Sequence, residues 1–110
     1  MIEVIRFNYL HRDSGNWKKF GSKRFSNPEK FSLEEIEKNI RQNLIDGMYF
    51  YPENVGIKKF KFHRYLDDFS WYEFESVEVI ETSKKKKPKL SISNFCTLLK
   101  TKNASNVYIM

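Results

Sequence analysis

The chain has 110 residues and a net charge of +6, with 40% hydrophobic and 16% aromatic residues. That length suits one domain around one core, and the composition is far from the aromatic-poor, highly charged chains that stay disordered. A single cysteine, Cys96, excludes an intrachain disulfide and any C-x-x-C pair, and no run approaches the roughly 18 apolar residues of a membrane span.

With no cationic start leading into an apolar run, the expected setting is reducing and cytoplasmic. The charge is unevenly spread. Residues 1–83 hold 13 Lys and Arg against 14 Asp and Glu, whereas residues 84–110 hold 7 lysines and no acid. The expected organisation is a nearly neutral compact domain over 1–83 and a basic C-terminal extension over 84–110.

Ile5, Phe7 and Tyr9 in MIEVIRFNYL alternate as one face of a first strand. Asp13, Ser14, Gly15 and Asn16 are turn formers, so a hairpin into a second strand over Trp17–Phe25 is expected. Next comes the strongest helix signal. Ser32 and Glu35 stand at the positions of a capping box, Phe31 and Ile36 at those of a hydrophobic staple, and Gly47 can end the segment in a left-handed conformation. Leu33, Ile36, Ile40 and Leu44 recur at helical spacing and predict an inward stripe.

MYFYPENVGI reads as an aromatic-rich loop, KKFKFHRY as a third strand and SWYEFESVEVIET as a fourth. Pro88 and the lysine run break regular structure, after which SISNFCTLLKTK predicts a short helix through Phe95, Leu98 and Leu99, or the tail adds a strand. The fold class expected is α+β, a small antiparallel sheet of about four strands with one main helix packed on one face.

The stretches NYLHRDSGNWKKFGS, FSNP, LEEIEKNIRQNLIDG and WYEF, taken in order between Arg6 and Glu78, resemble a group of short uncharacterised bacterial proteins with the pattern RDxGNxK, FSNP, LEEIExxIRxxLIDG and WxEF. The resemblance covers roughly two-thirds of the chain and implies no activity, because the group has none assigned. Its members often carry histidines near the position of Trp71, where this chain has Phe69 and Tyr72, and a tryptophan near Val55. Any chemistry of those histidines is expected to be missing here, and the tail from Lys84 lies outside the shared pattern.

Lys84, Lys85, Lys86, Lys87 and Lys89 are the candidate polyanion contacts, extended by Lys59, Lys61 and Arg64, because lysines neutralise phosphates and release counterions. Arg12, Trp17, Tyr51 and Tyr72 are the candidate protein-interface residues, since arginines beside aromatics are common anchors. Asp67, Asp68, Glu73 and Glu75 with His63 are the oxygen and nitrogen groups from which a divalent-metal enzyme would be built, although Glu73 and Glu75 also read as one solvated strand face. Cys96, among apolar neighbours, reads as a small buried hydrophobe, and neither His11 nor His63 has a nucleophile spaced beside it.

The expectation is a non-enzymatic binding protein with no catalytic residue, metal or cofactor. It combines a protein–protein contact with a basic segment on an RNA or ribonucleoprotein partner, in the manner of a phage or mobile-element inhibitor of a host defence nuclease, anti-CRISPR proteins included. The alternatives are a general single-stranded nucleic-acid binder stacking bases on Tyr65 or Tyr72, and the metal enzyme. No membrane contact is expected, and exposed sheet edges make a homodimer a further expectation.

Overall fold

The alternation in the opening residues builds one of the two longest strands. In the computed structural model, which describes residues 2–12, 15–58, 71–83 and 88–107, β1 runs Ile2–Arg12 and turns back into β2, Lys18–Ser26. After β2 come α1 (Leu33–Gln42), β3 (Tyr49–Phe50), a 3-10 turn over Pro52–Val55, β4 (Tyr72–Thr82) and α2 (Ile92–Val107). The sheet is antiparallel in the order β2-β1-β4-β3. This is the α+β arrangement expected from the sequence.

Ile5, Phe7 and Tyr9 do share one buried face, and on it they meet Ile36 and Ile40 from α1 and Phe95 and Leu99 from α2. The Phe7 ring is the hub, with ring centres of Phe95, Phe74 and Phe50 at 4.8, 5.4 and 5.5 Å. Such offset and edge-on pairs add to plain area burial.

Ser32 caps α1, its Oγ accepting from the Glu35 N–H at 3.2 Å, and Phe31 packs against the core as the staple requires. Two details depart from expectation. The helix stops at Gln42 with Asn43 as its cap, so Gly47 serves the following turn at φ 70° rather than the helix end. Leu33, at the first helical position, remains exposed, so Ile36 and Ile40 carry the stripe and Leu44 joins the core from beyond the helix.

The third strand expected at Lys58–Tyr65 lies mostly outside the described residues. The aromatic loop supplies one instead, because Tyr49 and Phe50 pair with Glu73 and Tyr72.

The helix expected in the tail through Phe95 and Leu99 is present as α2 and packs on the sheet. Ile92, Phe95 and Leu99 are buried in the same core as Phe7 and Phe25, with the Phe25 and Phe95 rings stacked at 4.4 Å. Ser91 caps α2 by accepting the Asn94 N–H at 3.1 Å. Packing therefore does not divide the chain at residue 84. Charge changes there, but the apolar spacing of Ile92, Phe95 and Leu99 draws the helix onto the sheet.

Candidate polyanion interface

The second face of the sheet, opposite the helices, is built from the even-numbered residues of β1 and β2. Register sets Arg12 beside Lys18, Leu10 beside Phe20, Asn8 beside Ser22 and Arg6 beside Arg24. Two of these four pairs are cation against cation, which is unfavourable for side chains directly opposite each other. Their spacing makes it worse. Ser26 sends its N–H to Leu90 O at 3.1 Å instead of to its partner Val4, so the even pairs are the non-hydrogen-bonded kind, with Cα atoms only about 4.5 Å apart.

β4 relieves the β1 side of this arrangement. Glu78 accepts from Arg6 at 2.8 Å and from the Asn8 amide at 2.8 Å, while Glu73 takes Arg12 at 2.9 and 3.3 Å. Asn16, in the left-handed conformation at φ 65°, also binds Arg12. The hydrogen bonds from Arg6 and Asn8 hold the Glu78 carboxyl below its ordinary pKa. That stabilisation is present above the unfolded carboxylate's pKa and is lost as pH falls through the lower folded value.

Lys18 and Arg24 have no acidic partner among the described residues, and both are exposed. The face thus runs from acid on β4 to cation on the β2 margin. Trp17 at 77% and Phe20 at 58% exposure stand among those cations.

The C-terminal segment joins the same margin. Ser26 and Ser91 form a parallel bridge, and Lys89 is exposed next to Leu90, the residue bonded to Ser26. The described end of the lysine stretch is therefore seated at the end of β2, two positions beyond Arg24. Lys84, Lys85, Lys86 and Lys87 lie outside the described residues, as do Lys59, Lys61 and Arg64.

Of the expected interface residues, Trp17 is on the surface and Tyr51 is half-buried before the 3-10 turn. Arg12 is engaged by Glu73 and is only partly open. Tyr72 does not belong to a surface. It is 1% exposed and stacked against Tyr9 at 5.8 Å, because its position in β4 turns it to the core face.

Glu73 and Glu75 do not form one solvated face. Register shifts between Asn8 and Tyr9, leaving Glu75 as an extra, exposed residue while Glu73 is buried against Arg12. No group of three or more His, Cys, Asp or Glu is gathered among the described residues, and Asp67, Asp68, His63 and Tyr65 fall outside them.

Cys96 lines a groove of about 210 Å³ between α1 and α2, and burial pushes its thiol up to about 11. It stays protonated near neutrality. Iodoacetamide at about pH 8 should label the native chain on the order of a hundredfold more slowly than the urea-unfolded chain. Equal rates would mean the thiol is open to solvent.

Lys18, Lys19, Lys23 and Arg24 do not stand out in the sequence as candidate contacts, although no acid occurs between Asp13 and Glu29. Averaging charge over residues 1–83 conceals that local run. Comparison with family models, curated proteins and solved structures gives no match for the chain.

Proposed function

We propose that this chain is a non-enzymatic binding protein that grips the phosphate backbone of RNA in a ribonucleoprotein partner, along the β2 margin and the lysine stretch that ends beside it. The observation carrying this reading is the cation-on-cation register of β1 and β2. Stability alone favours opposite charges across strands, so Lys18 and Arg24, which have no acidic partner among the described residues, act as contacts for an outside anion. Phe20, exposed between them in β2, presents an apolar face on which an unpaired base stacks, and Trp17 is exposed just before Lys18. Covering a strand that such a particle displays is also how an inhibitor of a host defence nuclease would act.

The test is fluorescence anisotropy of labelled oligouridine titrated with the chain over a salt series. Affinity should fall steeply with salt. Exchanging Lys18 and Arg24 together for glutamine should flatten the log–log slope by about 0.7 for each single-strand phosphate that is no longer neutralised. An unchanged slope and affinity in that variant would remove the β2 margin from the interface and with it the proposal.

A further inference from the structure

β2 ends the strand order, and its outer edge is a row of backbone groups. A strand residue directs its N–H and C=O to the same side, and its neighbour directs them to the other. Because Ser26 donates away from β1, to Leu90 O, the same side is faced by Arg24, Ser22, Phe20 and Lys18. Register to β1 is unbroken from Ser26 to Lys18, so no bulge disturbs that phase. The chain itself already uses one end of this edge. Ser91 pairs with Ser26 in a parallel bridge and then turns into α2, leaving the positions from Lys18 to Arg24 without a strand neighbour among the described residues.

Open edges invite pairing with another strand unless they are protected. Here the protection is selective. A second copy laid edge to edge would bring Lys18, Lys19, Lys23 and Arg24 against the same cations, and like charges oppose that contact. An acidic strand meets attraction instead.

We infer that the β2 edge from Lys18 to Arg24 receives an extended acidic segment of the partner's protein component by strand addition. The backbone of that segment completes the ladder, and its carboxylates are drawn by the positive field of the margin, while the Lys18 and Arg24 side chains on the sheet face are left to the phosphates. This rests on the reading of the chain as a binding protein for a ribonucleoprotein, and it adds a backbone-led contact that phosphates do not make.

The probe is a fluorescent peptide of about eight residues alternating Glu with Val and Thr, long enough to span the open edge. It should bind the full chain saturably. A peptide of the same sequence with every backbone nitrogen methylated keeps its charge but loses its donors on both edges, and it should bind at least about tenfold more weakly. Ser22→Pro removes one outward N–H without touching the β1 ladder, a substitution edge strands tolerate, and it should weaken the peptide while leaving oligouridine binding unchanged.

Equal affinity for the methylated and unmethylated peptides overturns the inference, since charge alone would then explain the attraction. So does undiminished peptide binding by a folded Ser22→Pro chain. Should that variant not fold, the methylated peptide on the unaltered chain still decides. Oligouridine binding that persists without methylation-sensitive peptide binding leaves the phosphate reading standing and removes the strand. The opposite pattern removes the phosphate reading and keeps the strand.

Discussion

Phe95→Ala should lower the unfolding free energy by about 3–5 kcal/mol, the range for truncating a fully buried aromatic. The residue follows the lysine run by sequence, yet its side chain is completely buried. Its ring stacks on Phe25 at 4.4 Å and meets Phe7 edge-on at 4.8 Å, so removing it opens a cavity at the centre of the sheet's covered face. Against a total stability of about 5–15 kcal/mol, that loss is a large fraction. Urea denaturation followed by tryptophan fluorescence will measure it, through Trp17 and Trp71. A midpoint unmoved by the substitution would mean that α2 is an appendage. The same packing predicts that a chain cut after Ser83 exposes Phe25 and does not hold its fold.

Gly21→Val should destabilise by about 1–3 kcal/mol, the usual cost of forcing extra atoms into a filled space. Two effects oppose each other at this position. Valine suits a strand, and glycine weakens one, which argues for a gain. However, a Cβ at Gly21 would lie 2.8 Å from Cε2 and Cζ of Tyr9 and 2.9 Å from its hydroxyl. Tyr9 has little room to withdraw, because Tyr72, Phe7 and Phe50 surround it with ring centres at 5.8, 6.0 and 6.1 Å. The clash therefore outweighs the gain in strand preference. A variant as stable as the parent in urea would show that Tyr9 moves freely and that this end of the core is loose.

Gly21 also shows why part of the core is not readable from the chain. A lone glycine in a strand suggests a bulge or a close approach, and only the pairing Tyr9↔Gly21 shows that the glycine is the floor beneath a ring. Tyr72 is a similar case. Its aromatic ring beside Trp71 suits an interface equally well, and the sheet register decides that it points inward. Glu73 and Glu75 are separated by a bulge, a feature that adds one residue to one strand and leaves no reliable mark in alternation.

The cationic margin is half legible. The run WKKFGSKRF contains its charges, but their meaning depends on what stands opposite. Arg6 and Arg12 come from the neighbouring strand, and Glu73 and Glu78 come from a strand more than sixty residues later in the chain.

The sequence by itself determined the local elements: the first hairpin, the Ser32-capped helix, the fourth strand and the helical spacing of Phe95 and Leu99. These depend on turn chemistry, caps and periodicity, which act over a few residues. The tertiary structure decided that the basic tail's helix completes the core, and that Arg6 and Arg12 find acidic partners on β4 while Lys18 and Arg24 have none among the described residues. Register and packing join residues far apart in the chain, and local patterns carry no information about which distant residue will stand opposite.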